Sequence, residues 1–224
     1  MKNFTELRVQ IDEIDQKLIS LLQERSCIVQ SVKTIKDSTH NQHFQLYIKP
    51  DREYSILKKI INTVGNYGYP KEFFYRTWRG IISASNLLEQ DLKLLATCSK
   101  SYNDIYQHFG MQSLPVIEKN SHKAFEMLQT NIFHILAFQT NNSKIFELLK
   151  NNKEVKIFAI TKTQERQNYT FLCGKISLET FSSPAVVVTT QETNKILNKE
   201  ASIFLSEDFE INDNTLGCFY PAVI

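Results

Sequence analysis

Apolar residues recur every three or four positions along the first part of the chain. The pattern runs from Leu7 to Val32, and neither Gly nor Pro interrupts residues 4–36. This spacing places the apolar side chains on one face of a helix. We therefore predict one amphipathic helix of about 30 residues, roughly 45 Å long at 1.5 Å per residue. So short a segment cannot cover so long a face by itself, which predicts a second copy of the chain as partner.

Two shorter helices are predicted after this one. Residues 37–49 are polar and aromatic without a clear period, so we predict a loop there. Pro50 suits the first turn of a helix, and the second helix is predicted to follow it through residue 64. The sequence GNYGYP at 65–70 ends that helix, and residues 72–90 form the third.

The pattern changes after about residue 91. Short apolar runs rich in β-branched and aromatic residues predict buried strands, and segments with helical spacing lie between them. One of these helices is predicted to end at Phe109 with Gly110 as its C-cap. The alternation predicts an α/β segment whose sheet is at least partly parallel. We thus predict a multidomain α plus α/β chain, with a helical domain at 1–91 and an α/β domain at 92–224. The predicted strands lie in the runs LKLLATC, IFHILAF, VKIFAI, YTFLCGKIS, AVVVTT and ASIFL.

Charge and composition narrow the classes of function. The net charge of +2 is too small for a dedicated nucleic-acid binder. Residues 1–90 hold 13 Lys+Arg against 10 Asp+Glu, a net charge of +3, so an anion site is expected in the helical segment. No apolar run approaches the roughly 20 residues of a membrane span, and the first residues lack the apolar stretch of a secretory signal. The four cysteines are widely spaced, which favours reduced thiols, a cytoplasmic protein and no metal site.

The predicted first helix carries three cations that matter for such a site. Arg25 and Lys36 are 11 residues apart, about 20° around the helix axis, so they share a face. Arg8 lies 17 residues before Arg25, about 100° away and roughly 25 Å along the axis. Arg8 therefore cannot join the other two within one chain, but it could enter the pocket of a partner across a two-fold axis.

The second and third predicted helices carry further residues that could belong to the same site. Ile82, Ser85 and Glu89 fall on one stripe of the third helix, and Arg52 and Glu53 open the second. Any one of the charged residues, taken alone, is more typical of a solvated helix surface, and Ser85 alone is typical of a helix crossing. Their combination is what indicates a site.

The motifs that hold these residues resemble a known family. They are LRVQIDEIDQKLISLLQER, the lysine 11 residues beyond it, PDRE and IISASNLLEQ, in this order. They are similar to the all-helical (type II) chorismate mutases, above all to the mutase domain fused to prephenate dehydratase. The resemblance covers residues 4–90. It implies a three-helix domain in an intertwined homodimer that isomerises chorismate to prephenate without metal or cofactor, in aromatic amino acid biosynthesis.

The resemblance also implies roles for the residues of the first helix. Arg8 matches the arginine that enters the other subunit's site, and Arg25 matches the one that the site's own chain contributes. Lys36 matches the lysine that reaches the ether oxygen and a carboxylate of the substrate. Together with Glu89, these three residues form the expected catalytic set.

The remaining matches lie on the second and third helices. Arg52 and Glu53 match an Arg-Glu pair whose Glu accepts a hydrogen bond from the ring hydroxyl, and Ser85 matches a serine near the ring carboxylate. Ile82, on the same stripe, is expected to line the pocket. Glu89 matches the Gln or Glu that faces the ether oxygen opposite the lysine. An ionised Glu cannot donate a hydrogen bond, so we expect turnover to rise as the pH falls from 8 towards 5.

The second segment resembles the lobes of prephenate dehydratase more weakly. It is similar to the shortened carboxy-terminal domain found on chorismate mutases of some alpha-proteobacteria. The dehydratase's Thr-Arg-Phe motif would fall near residues 168–171, where no arginine stands, so no dehydratase activity is expected. A structural appendage and a binding lobe for an aromatic amino acid or another effector both stay open. So do a bifunctional mutase–dehydratase and a catalytically silent, mutase-derived binding protein.

Overall fold

Three helices form the first part of the chain in the computed structural model. They are α1 (Phe4–Thr39), α2 (Pro50–Thr63) and α3 (Lys71–Glu89), which confirms the three predicted helices. Pro50 occupies the first turn of α2, where a missing backbone N–H costs nothing. The structure describes residues 3–39, 44–65, 68–110, 113–161, 169–179, 181–193, 195–207 and 210–221.

The longest helix is the least covered. Helix α1 packs against α3, and α2 also packs against α3. Val29 is buried on α1, whereas Ile11, Ile14, Leu18 and Leu21 are each more than half exposed. The apolar face that the sequence predicts on α1 is therefore largely uncovered within one chain.

A mixed α/β region follows, as predicted, and confirms the fold class. The elements are β1 (Leu94–Ala96), α4 (Ser99–Phe109), β2 (Val116–Ile117), α5 (Ser121–Gln129), β3 (Ile135–Gln139), α6 (Ser143–Lys150), β4 (Val155–Thr161), β5 (Thr170–Lys175), β6 (Val186–Thr189), β7 (Lys195–Asn198), β8 (Ile203–Ser206) and β9 (Thr215–Phe219). Among the described residues, the nine strands form one sheet in the order β2-β1-β3-β5-β4-β9-β6-β8-β7. Strands β1 and β2, β1 and β3, and β4 and β9 pair in parallel, and the other neighbours are antiparallel.

The sequence pattern missed three of these strands. Strand β2 has two residues and both are exposed, and β7 carries Lys195 and Asn198 among its four residues, so neither forms an apolar run. Strand β9 contains Gly217, which reads as a strand breaker. A Cβ at that position would lie 2.2 Å from the carbonyl oxygen of Ile157 on β4, so close backbone approach requires glycine there. The predicted C-cap is confirmed, since Gly110 ends α4 with φ of 77°.

The two faces of the sheet carry separate hydrophobic cores. One face packs on α5 and α6 through residues such as Phe138 and Phe146. The other packs on α4 through Ile105 and Phe109.

Residues 44–49, which we call the connecting segment, join the helical part to this second core. Leu46 and Ile48 are buried in it at 1% and 3% exposure. The backbone N–H of Leu46 donates to the carbonyl of Lys175 on β5 at 2.9 Å. The chain leading into α2 is therefore anchored on the sheet.

Among the residues described, no helix combines the length and apolar character needed to cross a bilayer.

Candidate active site

Arg25 and Ser85 bring α1 and α3 together. The Arg25 Nη1 donates a hydrogen bond to the Ser85 Oγ, and the Ser85 hydroxyl donates to the carbonyl of Ile81 at 2.8 Å. Burial lowers the pKa of Arg25, the nearby Glu89 carboxylate opposes this shift, and Arg52 adds to it. Glu89 and Arg52 therefore both lie close enough to Arg25 to act on it electrostatically.

Lys36 and Glu89 form a second contact between the same helices. The Lys36 Nζ donates to the Glu89 Oε2 in an ion pair whose side chains are 19% and 12% exposed. The same ammonium donates to the carbonyl of Tyr47 at 2.9 Å and lies 5.3 Å from the centre of the Tyr47 ring. Its position is thus defined by the Glu89 carboxylate and by the carbonyl and ring of Tyr47, a residue of the connecting segment.

Helical spacing accounts for this arrangement. Ser85 and Glu89 are four residues apart on α3, so they lie one above the other on the same face. Buried Ile82 precedes Ser85 by one turn and continues that face. The structure joins Arg25 to Ser85 and Lys36 to Glu89, whereas the spacing predicted only which of these residues share a helix face.

Glu53 is held by two side chains that the sequence reasoning missed. Its Oε2 accepts a hydrogen bond from the Arg79 Nη1 at 2.7 Å, and its Oε1 accepts one from the Asn86 Nδ2 at 2.7 Å. Arg79 is only 8% exposed. Arg79 and Asn86 are seven residues apart and share the α3 stripe with Ile82, which is a signal that could have identified them.

Arg8 lies apart from this group. It sits on the exposed first part of α1, with its guanidinium carbon 4.4 Å from the centre of the Phe4 ring. Seventeen residues of helix separate it from Arg25, about 25 Å. Within one chain the structure does not join Arg8 to the other cations.

The structure describes only part of the region near residues 168–171, where the dehydratase's Thr-Arg-Phe motif would fall. Residue 168 lies outside the described residues, while Thr170 and Phe171 begin β5. The Thr170 hydroxyl donates to the Asp104 carboxylate and accepts a hydrogen bond from the Gln139 side chain, so neutral and acidic groups surround it. No group of three metal-ligating side chains occurs in the described part of the chain.

A cavity of about 410 Å³ lies between the helices and the sheet, and Glu53 and Arg79 belong to its walls. Its walls are mainly apolar and aromatic, and Tyr54 on α2 stacks on Tyr220 with 4.5 Å between ring centres.

Two titratable side chains in the walls of this cavity have shifted pKa values. Part of His108 faces the cavity. Burial of its imidazole, together with nearby Arg79, holds the pKa of His108 well below its usual value of 6.5. Burial also raises the pKa of Tyr75. Both side chains therefore border the cavity in their neutral forms at pH 7.

Known proteins and a family model match the helical part of this chain. Residues 7–90 match the family model described as chorismate mutase type II. The chain is 33% identical over 97 residues to a bifunctional chorismate mutase/prephenate dehydratase of Aquifex aeolicus, covering 42% of this chain and 26% of that protein. It is 36% identical over 90 residues to the protein of the same name from Pseudomonas aeruginosa, covering 39% of this chain and 24% of the relative. No solved structure gives a significant match.

The resemblance inferred from the motifs is therefore confirmed for the helical segment. The chain spans about a quarter of the length of the curated relatives that it matches. The matched region contains both contacts that join α1 to α3.

Proposed function

We propose that this chain, whose residues 7–90 form a type II chorismate mutase domain, isomerises chorismate to prephenate in the biosynthesis of phenylalanine and tyrosine. The observation that carries the proposal is the meeting of Arg25 and Lys36 with Ser85 and Glu89 inside the matched region. We place the mutase domain at residues 1–91 and a second domain at 92–224. The compartment proposed is the cytoplasm.

The chemistry needs a shaped and charged pocket rather than a reactive group. The substrate is a dianion that rearranges in one concerted [3,3] step, in which a C–O ether bond breaks and a C–C bond forms. No nucleophile, metal or redox partner takes part in that step. Catalysis then consists of holding the two carboxylates in a compact conformer and stabilising the negative charge that grows on the ether oxygen.

Each cationic side chain is assigned to one of these two tasks. Arg8, Arg25 and Arg52 hold the substrate carboxylates, because a guanidinium can donate two parallel hydrogen bonds to one carboxylate. Lys36 donates to the ether oxygen as charge develops there, an interaction stronger in the transition state than in the bound substrate. Two contacts hold its ammonium near this position, one with Glu89 and one with the Tyr47 carbonyl.

The polar residues are assigned by what they can donate or accept. Glu53, fixed by Arg79 and Asn86, accepts the hydrogen bond of the ring hydroxyl. Ser85 binds near the ring carboxylate, and Ile82 forms the apolar wall beside it. Glu89 faces the ether oxygen opposite Lys36 and assists only when it carries a proton, since an ionised carboxylate has none to donate.

A second copy of the chain completes the proposed site. The exposed apolar face of α1 is longer than a small monomer would leave open, and a two-fold partner would cover it. Arg8, which lies about 25 Å from Arg25 on the same helix, would then enter the partner's pocket.

The cavity between helices and sheet favours a second, regulatory role. Its aromatic walls suit an aromatic ring, and the Lys195–Glu207 pair in its lining supplies charges of both signs. These features suit a zwitterion such as an aromatic amino acid, which we propose as an effector. Mutase rates measured with increasing phenylalanine or tyrosine test this role. Rates that stay constant while neither amino acid raises the melting temperature contradict it.

One assay tests the main proposal. Purified full-length chain is incubated with chorismate at pH 7.5, and the product is identified by chromatography and absorbance. Prephenate, formed by the wild type but far more slowly by Lys36→Met, supports the proposal. Phenylpyruvate at this pH would identify a bifunctional mutase–dehydratase, and unchanged chorismate would favour a silent binding protein.

A further inference from the structure

We infer that the α/β segment positions the catalytic lysine, by anchoring the connecting segment whose Tyr47 carbonyl receives the Lys36 ammonium. This inference rests on the proposed mutase function and gives the sheet a part in it. It makes Leu46, Tyr47, Gln90 and Gly174 positioning residues.

The sheet side of this connection is tightly fitted. Leu46 is 1% exposed in the core that faces α4, and its N–H donates to the Lys175 carbonyl at 2.9 Å. Phe44 stacks on His134, which directly precedes β3, with 4.5 Å between ring centres. Gly174 on β5 leaves room for this packing, because a Cβ there would lie 2.5 Å from the Leu46 Cδ1 and 2.8 Å from the His134 carbonyl oxygen. A methyl group at Gly174 must therefore displace Leu46 or the adjacent strand.

The helical side fixes the same segment from the end of α3. Gln90 follows Glu89 directly, and its Oε1 accepts a hydrogen bond from the Tyr47 N–H at 3.1 Å. The Gln90 Nε2 donates to the Gln45 carbonyl at 3.1 Å. The two hydrogen bonds clamp the backbone on both sides of Leu46. The backbone of Tyr47 is thus held where its carbonyl meets the Lys36 Nζ at 2.9 Å.

These contacts form an unbroken series from the sheet to the proposed site. A shift of Leu46 moves the adjoining Tyr47 peptide, and the Tyr47 carbonyl is one of the groups that locate the Lys36 ammonium. Misplacement of a catalytic group by about 1 Å can cost roughly 100-fold in rate. A change in β5, remote in sequence from the helical domain, should therefore reach the reaction through Lys36.

The test uses two full-length variants that disturb the segment from opposite sides, Gly174→Ala and Gln90→Leu. Each is expected to lower kcat roughly 10- to 100-fold with a smaller change in KM. Each is also combined with Lys36→Met. Because the segment acts through Lys36, neither change should lower kcat further in that background. A Gly174→Ala or Gln90→Leu effect that persists in full when Lys36 is absent overturns the inference.

Gly80→Ala is the matched control. Gly80 lies on α3, and a Cβ there meets nothing within 4 Å, so this variant should keep the wild-type kcat. Circular dichroism and melting temperature show whether each variant folds.

A second readout does not depend on turnover. In protein labelled with ¹⁵N-lysine, the Lys36 ammonium signal should move in Gly174→Ala and Gln90→Leu but not in Gly80→Ala. A Lys36 signal that stays fixed in both positioning variants refutes the inference even if the wild type proves inactive on chorismate. Inactivity with a moved signal refutes the proposed function alone.

Discussion

Lys36 donates a hydrogen bond to Glu89, and this contact joins the C-terminal ends of α1 and α3. The two residues are 53 positions apart in the chain. Both side chains are mostly buried, so the ion pair is shielded from the water that weakens surface pairs. Opposite charges on two helices thus meet inside the region that matches the mutase family.

Replacing Lys36 by Met should abolish most of the turnover, and it should also lower the free energy of unfolding because the Glu89 carboxylate loses its partner. The variant keeps the length of the side chain but removes the donor to the developing negative charge. Loss of one such donor typically lowers kcat by about 100- to 1000-fold. Steady-state kinetics on chorismate measure the effect, with circular dichroism as the check on folding. A kcat within about threefold of wild type would exclude Lys36 from the chemistry.

The identity of residue 89 should set the level of turnover. Glu89 accepts a hydrogen bond from Lys36, and an ionised carboxylate has no proton to donate to the ether oxygen. Glu89→Gln supplies a permanent donor and should raise kcat at pH 7.5 relative to the wild type. Steady-state kinetics on chorismate compare the two proteins at this pH. A kcat of Glu89→Gln at or below that of the wild type would exclude this role for residue 89.

Two variants that are inactive alone should regain activity when their chains form mixed dimers. Arg8→Ala and Arg25→Ala each damage both sites of a homodimer. In a hybrid dimer both defects fall on one site if Arg8 serves the partner, and the other site is intact. Random mixing would then give about a quarter of wild-type activity, since half of the dimers are hybrids with one good site each. The two variants are co-expressed or refolded together, and light scattering checks the dimer. Dimers that show no recovery would mean that Arg8 does not cross between chains.

Two arginines of α3 should differ sharply in their effect on stability. Arg79 pairs with Glu53 in a contact whose side chains are 10% and 13% exposed, and its removal leaves a buried carboxylate uncompensated. Arg79→Ala is expected to lower the free energy of unfolding by about 3–5 kcal/mol. Arg76 pairs with Glu72 at 75% and 52% exposure, so Arg76→Ala should cost less than about 1 kcal/mol. Urea titrations of both variants test this, and equal losses would contradict it.

The partly buried His108 should make the fold sensitive to acid. Because the pKa of His108 in the folded chain lies well below 6.5, the folded protein resists protonation while the unfolded chain binds a proton near pH 6.5. The free energy of unfolding should fall as the pH drops from about 7 to about 5, by up to about 1.4 kcal/mol per pH unit for this one group. Burial shifts the pKa of His134 in the same direction.

His108→Gln should remove part of that slope, and His122→Gln, a change at an exposed position, should leave it unchanged. Denaturant titrations at several pH values give the slopes. Identical slopes for His108→Gln and the wild type would assign the acid sensitivity to other groups.

The helical site is more predictable from sequence than the region around it. Spacings of 3, 4, 7 and 11 residues fix which side chains share a helix face, so Arg25 with Lys36 and Ser85 with Glu89 follow from periodicity alone. The same rule would have placed Arg79 and Asn86 on the α3 stripe. It could not show that both bind Glu53, because that contact depends on how α2 packs against α3.

The sheet shows the limits of a local pattern. Six of its strands appear as apolar runs, but strand order depends on pairings between residues far apart in sequence. The connecting segment is a clearer case. Residues 37–49 carry no period and predict a loop, yet Leu46 and Ile48 are among the most buried side chains of the chain.

By itself, the sequence determined the three helices, the faces on which their cations lie, the family of the helical domain and the α/β character of the rest. These properties follow from local periodicity and from motifs, which a single stretch of chain contains. Only the tertiary structure decided that Arg79 holds Glu53, that Leu46 enters the sheet core against Gly174, and that Tyr47 thereby meets Lys36. Such contacts depend on packing between distant segments, where steric fit rather than residue spacing selects the partners.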